Sequence, residues 1–405
     1  MPSLPPARPR PRLWPLWSDA ARAQVGDLLT GGDLTATTLT PPVRTLEHLV
    51  EHVLAPGRHV LATGSGTAAL ATAYVALGLE PGAQVLAPAH TFRATVTAML
   101  AAHLVPVLCE TDPATGGIDL DDAAARVTGR TQALVATHTW GRPLPAERLR
   151  AFADRHHLAL VEDCSHAHGA RRHGEPVGAR ADVAVWSLGT TKLASGGMLG
   201  ALATPDPALF ARALAYGQPK HRCLASVHDS ALRRTALSGV GANLRPSPVA
   251  AVLAADHLAR LEQILALKNR RQAAVEHVLA GLPELALEPL ARAPGHDGGA
   301  LYKWHWHHSD PGRVLPALAG AGLRVRRPAP GLHTLPLFTD PDLARALVPG
   351  APRLPPAGPR PATDAFLAGL IEADTRDVYD PDCDPLPLYR DALHRAAAHP
   401  RHHTN

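Results

Sequence analysis

The stretch R-H-V-L-A-T-G-S-G-T-A-A-L-A-T-A-Y-V-A-L, residues 58–77, decides the fold class of this chain. Its first six residues form a short apolar run typical of a buried strand, and the alanine-rich part from Ala68 to Leu77 predicts a helix. The residues between them, 64–67, predict a tight turn. Because a helix begins with free backbone N–H groups and the positive end of its dipole, this turn is suited to a phosphate. G-S-G-T also serves as an ordinary strand-to-helix turn, so both interpretations stay open here.

The same alternation of strand and helix continues to about residue 204. Further strands are predicted at 84–88, 105–109, 133–138, 158–163, 182–187 and 199–204. Helices are predicted between them at 95–103, 120–127 and 146–156. This alternation predicts an α/β fold with a mostly parallel, seven-stranded sheet between layers of helices. Ligands of such sheets bind outside the carboxyl ends of the strands, which is where Thr67, His138, Asp163 and Ser187 fall.

The second half of the chain has a different pattern. Apolar residues at helical spacing from Val249 to Gln272 predict one long amphipathic helix that links two domains. We therefore expect an N-terminal arm (1–20), a large domain (21–248), and the interdomain helix with a smaller C-terminal α+β domain (249–405). The first dozen residues carry arginine and proline but no apolar core, so they predict a disordered arm and not a signal peptide.

The composition limits the classes of function. Hydrophobic residues at 46% and charged residues at 19% are typical of a soluble globular protein, and no apolar run is long enough for a bilayer. Basic residues are spread along the chain and aromatic residues make up 4%, so we expect neither a nucleic-acid nor a membrane partner. The four cysteines lack C-x-x-C spacing, which predicts no metal site, no disulfide framework and a cytoplasmic location.

Two charged residues suggest a particular chemistry. Asp163 ends an apolar strand, where a carboxylate requires a cationic partner or several donors, unless it only caps a helix. Lys192 lies among small residues in W-S-L-G-T-T-K-L-A-S-G-G, residues 186–197. Partial burial would disfavour its ammonium form and give a nucleophilic amine, whereas an exposed loop lysine is the alternative. A phosphate turn, a strand-end aspartate and a nucleophilic lysine, in this order, are the protein parts of a pyridoxal 5'-phosphate (PLP) site.

Several segments together resemble the DegT/DnrJ/StrS family of sugar and cyclitol aminotransferases, which are PLP-dependent enzymes of fold type I. The resemblance extends from W-P-L-W (14–17) to about Phe338. The segments that carry it are G-T-A-A-L (66–70), P-A-H-T-F-R-A-T (88–95), V-E-D-C-S-H-A-H-G-A (161–170), A-D-V-A-V-W-S-L-G-T-T-K (181–192) and G-A-N-L-R-P-S (241–247). The family usually has a glutamate at the position of Met198.

The resemblance implies a set of cofactor contacts. They are Gly66, Thr67 and Ser187 at the phosphate, Phe92 against the ring, Asp163 at the pyridine nitrogen, His166 near the ring hydroxyl, and Lys192 at the aldehyde carbon. Asn243 would reach the phosphate of the neighbouring subunit, which implies a homodimer with shared active sites. Arg245 and Arg326 are candidate substrate residues because a guanidinium group pairs bidentately with a carboxylate or phosphate. His333 lies in a Leu-His segment similar to one near the family's site, and a purely structural role for it is open.

We therefore expect an aminotransferase that moves an amino group from glutamate or glutamine to a keto group. The acceptor would be a sugar nucleotide or a cyclitol of secondary-metabolite or deoxyaminosugar biosynthesis. One alternative keeps the cofactor but performs an elimination or other carbanion step, because Met198 replaces a glutamate. A second alternative is a non-catalytic dimeric binding module, against which the presence of Lys192 and Asp163 argues.

Overall fold

The computed structural model describes residues 10–398 except 33, 36, 219, 293 and 347. Most of the predicted N-terminal arm, residues 1–9, and the last residues of the tail therefore lie outside the described part. Within the described ranges, the strands are β1 (His59–Thr63), β2 (Gln84–Pro88), β3 (Val105–Cys109), β4 (Thr131–Thr137), β5 (Ala159–Asp163), β6 (Arg171–Arg172), β7 (Glu175–Pro176), β8 (Val183–Ser187), β9 (Gly200–Thr204), β10 (Glu288–Pro289), β11 (His296–Gly298), β12 (Trp304–His307), β13 (Val325–Arg326) and β14 (Leu370–Ala373).

The helices alternate with the first strands and then dominate the chain after β9. They are α1 (Asp19–Gly31), α2 (Pro41–Val53), α3 (Gly66–Leu77), α4 (Ala94–Thr97), α5 (Leu120–Ala125), α6 (Ala146–Arg155), α7 (Pro207–Gly217), α8 (Lys220–Ser226), α9 (Ser230–Leu237), α10 (Pro248–Ala259), α11 (Leu261–Ala280), α12 (Pro311–Gly320), α13 (Pro336–Thr339), α14 (Pro361–Ala368) and α15 (Leu386–Ala398). Short 3-10 turns include Ala98–Ala102, Thr139–Gly141 and Leu332–Thr334. No helix in the described ranges is long and apolar enough to cross a membrane.

The central sheet has seven strands in the order β1-β9-β8-β5-β4-β2-β3. Neighbours from β8 to β3 run parallel, and β9 is antiparallel to both β8 and β1. Alternate residues of one strand enter different hydrophobic cores: Leu160 packs into one and Val161 into the other. Because successive side chains of a strand point to opposite faces, the sheet is buried on both sides. The predicted seven-stranded, mostly parallel sheet between helices is confirmed.

A second sheet forms from the later part of the chain. Its four strands lie in the order β10-β12-β14-β13 and are antiparallel. A third, three-stranded sheet joins β11 to β6 and β7, so the segment after residue 290 also contacts the segment that follows β5. These contacts bring residues around 302 and 372 towards the carboxyl ends of the central strands.

The prediction of one long helix from 249 to 272 is wrong. The structure has α10 and α11 instead, separated at Arg260, whose backbone lies at φ −110° and ψ 12°. The Arg260 guanidinium donates to the carbonyl of Leu16 and to Asp256, and the Ser18 hydroxyl donates to Asp256 as well. The break therefore coincides with the place where the N-terminal segment packs against the helix. A local hydrophobic pattern contains no information about that contact.

Candidate active site

A cavity of about 970 Å³ lies at the carboxyl ends of the central strands. Its opposite wall comes from the later part of the chain, at residues 302–303, 324–326 and 372–376. The cavity brings together most of the residues predicted from the sequence. These are Gly66, Thr67, Phe92, Asp163, His166, Ser187, Lys192 and Arg326, together with Met198.

The floor of the cavity is the turn between β1 and α3. Ser65 begins the helix, and its Oγ accepts the backbone N–H of Ala68 at 3.0 Å. A Cβ on Gly66 would lie 2.7 Å from the Cβ of Ser187, so only glycine allows β8 to approach the turn this closely. The first N–H groups of α3 and the Ser187 side chain consequently face the same space. Free N–H groups at a helix start and a hydroxyl beside them are groups that can bind an anion, so the geometry is compatible with the phosphate interpretation of this turn.

Asp163 ends β5 and is buried in the cavity wall. Its Oδ2 accepts the hydroxyl of Thr95 at 2.6 Å, and its Oδ1 accepts the backbone N–H of Ser165 at 3.0 Å. The Thr95 hydroxyl in turn lies 3.0 Å from that of Thr91. These donors hold the carboxylate in a fixed orientation while it lines the cavity. The alternative role as a simple helix cap does not describe this aspartate.

His138, also placed at a strand end by the sequence, is not among the residues that line the cavity. Its Nε2 donates to Glu162 at 2.7 Å, and its Nδ1 accepts the backbone N–H of Leu144 at 3.0 Å. Burial would raise the pKa of Glu162, but the hydrogen bonds from His138 and from the backbone N–H of Gly178 lower it. The pair therefore links the last residues of β5 to the segment that follows β4.

Lys192 is half-buried, with its amine directed into the cavity. Its Nζ lies 4.8 Å from the ring centroid of Tyr302 and 6.0 Å from that of Phe92. Burial lowers the pKa of Lys192 to about 8, with a further lowering by Lys303 and an opposing effect of Asp163. A larger fraction of this amine is consequently unprotonated near neutral pH than for an ordinary lysine, which makes it more nucleophilic.

The loop that carries Lys192 is fixed by the W-P-L-W segment. Trp14 is buried, and its Nε1 donates to the carbonyl oxygen of Lys192 at 2.7 Å. Trp17 donates to the carbonyl of Ser195 at 3.3 Å. His257 links the two segments, because its Nδ1 accepts the N–H of Ser195 and its Nε2 donates to the carbonyl of Leu16. In the sequence, the W-P-L-W segment indicates only the family resemblance, and its contacts with the lysine loop were not predicted.

His166 lies beside the lysine and is neutral. Its Nδ1 accepts the backbone N–H of Trp140 at 3.2 Å, and its ring stacks on Tyr302 with centroids 4.4 Å apart. Burial holds the pKa of His166 well below its ordinary value, and the charge of Lys192 adds to the effect. The proton of the neutral ring is therefore on Nε2, which leaves a donor for a ligand atom.

The wall opposite Asp163 contains charged residues that the sequence analysis largely missed. Glu372 accepts from Lys303 at 2.5 Å and from Arg326 at 2.7 Å. Burial would raise the pKa of Glu372, but His305 and Lys303 lower it to about 2. Arg326, a predicted substrate residue, thus lines the cavity while it is paired with a carboxylate.

Three other predicted residues are placed differently. Asn243 is exposed and is not among the residues that line its own chain's cavity, although the neighbouring carbonyl of Leu244 accepts the N–H of Gly64 at 2.8 Å. Arg245 does not line the cavity either. His333 is buried behind the wall, where its Nε2 lies 3.3 Å from Asp364. The geometry of this chain favours a structural role for His333.

A family model, the DegT/DnrJ/EryC1/StrS aminotransferase family, matches residues 18–350. The chain belongs to this aminotransferase family. The predicted family, fold class and reaction class are thereby confirmed. This DegT/DnrJ/EryC1/StrS aminotransferase is 33% identical over 302 residues to an L-glutamine:scyllo-inosose aminotransferase of Streptomyces griseus, covering 72% of this chain and 70% of the relative. It is 30% identical over 306 residues to an L-glutamine:2-deoxy-scyllo-inosose aminotransferase of Streptoalloteichus tenebrarius, covering 73% of this chain and 71% of the relative.

Solved structures agree with the fold of this aminotransferase. The 3-amino-5-hydroxybenzoic acid synthase matches with a TM-score of 0.77 and 24% identity, over 96% of this chain and 99% of that one. DesI, solved in the presence of its TDP-sugar product, matches with a TM-score of 0.76 and 29% identity, over 96% of this chain and 94% of that one.

Proposed function

We propose that this chain binds PLP in the cavity and transfers an amino group from glutamine or glutamate to a keto group of a cyclitol or a sugar nucleotide. The observation that carries the proposal is the placement of Lys192, Asp163 and the glycine turn of α3 around one cavity. The relatives named for L-glutamine and an inosose support glutamine as donor and a cyclitol as acceptor. DesI and its TDP-sugar product support the sugar-nucleotide alternative.

The residues present fit PLP, whose protonated ring withdraws electrons from the carbon that exchanges a proton. The cradle of Gly66, Thr67 and Ser187 would hold the phosphate. Asp163, fixed by two donors, would keep a proton on the pyridine nitrogen. Phe92, which is 54% exposed and lines the cavity, offers a ring face for stacking.

Two further side chains would act at the reacting atoms. Lys192 would bind the aldehyde carbon and, once displaced by the donor, hold and move the proton as a general base and acid, for which its pKa of about 8 is suited. His166 would donate from Nε2 to the ring hydroxyl. We further propose that the protein works as a cytoplasmic homodimer, in which Asn243 reaches the phosphate of the neighbouring subunit.

The visible absorption spectrum of the purified protein with PLP tests this function. Wild type and Lys192→Ala are compared before and after addition of glutamine or glutamate. We expect a visible band that requires Lys192 and disappears as the donor converts the cofactor to its amine form. A band that ignores both donors would contradict the amino-group transfer, and a band that does not depend on Lys192 would contradict the role of this lysine.

A further inference from the structure

Tyr302, which the sequence analysis did not single out, is the aromatic residue nearest to the Lys192 amine among the contacts described above. It lies just before β12, is 8% exposed, and lines the cavity. The Lys192 Nζ lies 4.8 Å from its ring centroid, within the range of a cation–π contact. Its hydroxyl lies 2.6 Å from the hydroxyl of Thr191, the residue that precedes the lysine. One side chain therefore contacts both the amine and the backbone segment that carries it.

The position of Tyr302 is fixed from several directions. Its backbone N–H donates to the carbonyl of Trp140 at 2.8 Å, and its ring stacks on His166 at an interplanar angle of 15°. Its carbonyl accepts from the Nζ of Lys268 at 2.9 Å. The ring is consequently held in place before any ligand binds.

Lys268 is the buried anchor of this arrangement. Its side chain is completely buried in α11, and its Nζ contacts the Thr375 hydroxyl at 2.8 Å and the Tyr379 hydroxyl at 2.6 Å as well as the Tyr302 carbonyl. Three oxygen atoms thus surround the Lys268 amine, and burial lowers the pKa of this lysine well below its ordinary value. A fully buried lysine is rare, and here its contacts lead to the residue beside the Lys192 amine.

The charged form of Lys192 is subject to opposing influences. Burial and the ammonium of Lys303 disfavour the charged form, whereas the carboxylate of Asp163 favours it. His166 and His168 also face the lysine but stay neutral, because burial lowers the pKa of His166 well below its ordinary value and that of His168 to about 3. Like the carboxylate of Asp163, the electron-rich face of the Tyr302 ring favours the ammonium form of Lys192.

We propose that Tyr302 is a positioning residue for Lys192: its ring stabilises the ammonium form, its hydroxyl holds Thr191, and Lys268 keeps the ring in place. The proposal rests on the role given to Lys192 above. A lysine that moves a proton must carry it for part of the cycle, and a fixed ring face holds that charge without competing for the proton. Lys303 and Tyr302 then act on the same amine with opposite signs.

The test measures the proton affinity of Lys192 without the cofactor. The full chain, freed of PLP, is treated with a limiting amount of an amine-acylating reagent over a pH series. Labelling of Lys192 is quantified by peptide mass spectrometry relative to the exposed Lys220. The variants are Tyr302→Phe, which keeps a ring, and Tyr302→Leu and Tyr302→Met, which remove it. Lys303→Gln is the control, because it should shift the labelling midpoint of Lys192 in the direction opposite to that of the ring-free variants.

We expect Tyr302→Leu or Tyr302→Met to lower the labelling midpoint by roughly 0.5–1.5 pH units, the size of a partly desolvated cation–π contact. Tyr302→Phe should keep the midpoint within about 0.3 units because the ring remains. Lys303→Gln should raise it, since a repelling charge is lost. Lys268→Met should shift it in the same direction as Tyr302→Leu, by a smaller amount. Circular dichroism spectra select the variants that fold, and two ring-free variants keep the test available if one of them does not.

An unchanged midpoint in a folded ring-free variant, with Lys303→Gln shifted, would overturn the proposal. If Tyr302→Phe and Tyr302→Leu shifted the labelling midpoint equally, the proposal would also be overturned. The effect would then come from the hydroxyl group and not from the ring. The labelling requires no cofactor, so this result is independent of the spectral test of the proposed function. A missing Lys192-dependent band would reject that function and leave the contact between Tyr302 and Lys192 intact.

Discussion

At the residue scale, the site separates into side chains that local sequence predicts and side chains that it cannot predict. Asp163 and Lys192 were predicted because each lies beside a strand whose pattern is visible in a few neighbouring residues. Tyr302 was missed because its partner Thr191 is 111 residues away. Trp14 contacts Lys192 across 178 residues. Side-chain contacts between residues so far apart in sequence depend on how distant parts of the chain pack together. A short sequence pattern contains no information about that packing.

A substitution of Trp14 tests how the lysine loop is held. Trp14→Phe keeps an aromatic ring against His257 but removes the N–H that binds the partly buried carbonyl of Lys192. An unsatisfied buried acceptor costs about 1–3 kcal/mol, and because this carbonyl is only partly buried we expect the free energy of unfolding to fall by about 1 kcal/mol. Urea denaturation measures it. Trp17→Phe is the matched control, with a smaller expected loss, because Trp17 is less buried and its bond is 3.3 Å long. An equal loss in both variants would contradict the special role of Trp14.

At the element scale, the strands of the central sheet follow the sequence closely. β2, β3 and β9 begin and end within one residue of their predicted bounds, because buried strands of a sheet covered on both faces are short, continuous apolar runs. The prediction of one helix from 249 to 272 was wrong because the break at Arg260 coincides with contacts to Leu16 and Ser18, which are distant in sequence. Hydrophobic patterns therefore predict a strand or helix well where burial is uniform along it. They fail where a segment that is distant in sequence packs against the element and changes its course.

Edge strand β1 has one side without a neighbouring strand in the central sheet, and side chains bind its backbone there. The N–H of Ala62 donates to Glu47 at 2.8 Å, and its carbonyl accepts from Gln218 at 3.0 Å. Glu47 is in turn paired with Arg222 at 2.7 Å, and both are buried. Burial raises the pKa of Glu47, and Arg222 opposes that effect. This ion pair therefore secures the strand that leads directly into the glycine turn.

Loss of one partner of this pair should be costly. Arg222→Met would leave the Glu47 carboxylate buried without its cation, so we expect the free energy of unfolding to fall by roughly 3–5 kcal/mol. Adding Glu47→Gln should recover part of the loss, because a neutral amide oxygen still accepts the N–H of Ala62. Denaturant titrations of the single and double variants provide the comparison. A double variant that is less stable than Arg222→Met would show that the charge of Glu47 is not the cause.

At the scale of the whole molecule, buried histidines should make the fold sensitive to acid. Burial lowers the pKa of His90 and His257 to about 4 and that of His168 to about 3. The unfolded chain takes up protons at these residues below about pH 6.5, whereas the folded chain does not. The contribution of these histidines to stability is therefore fully present above that pH and declines as the pH falls from about 6.5 towards about 4. Glu372, whose folded pKa is about 2, adds a separate loss only below its unfolded pKa of about 4.5.

The slope of this decline is measurable by urea denaturation at several pH values. Each neutral buried histidine contributes up to about 1.4 kcal/mol per pH unit, so we expect a total slope of at least that size. His168→Gln is a suitable variant, because an amide N–H replaces the Nε2 donor to the carbonyl of Ser187 without titrating. Its slope should be shallower than that of wild type. A stability that stays constant from about pH 7 to about pH 5 would contradict the neutral state of these rings.

The proposed homodimer leads to the last prediction, which concerns Asn243. This residue is exposed and does not line its own chain's cavity, so we expect it to complete the neighbouring site. Asn243→Ala should weaken PLP binding by roughly 10-fold to 100-fold, the value of a hydrogen bond to a charged group. Lys192→Ala should abolish the reaction of the bound cofactor with glutamine. Each variant alone is therefore defective, but for a different reason.

Mixing the two variants distinguishes a shared site from a site within one chain. In a mixed dimer, the chain with Asn243→Ala keeps its own Lys192 and receives an intact Asn243 from its partner, so one of the two sites is complete. Random exchange in an equal mixture makes half of the dimers mixed, and about one quarter of all sites should react with glutamine at the wild-type rate when PLP is limiting. The rate of spectral conversion after subunit exchange measures this fraction. If exchange is demonstrated and no activity returns, Asn243 acts within its own chain, and the shared-site arrangement is wrong.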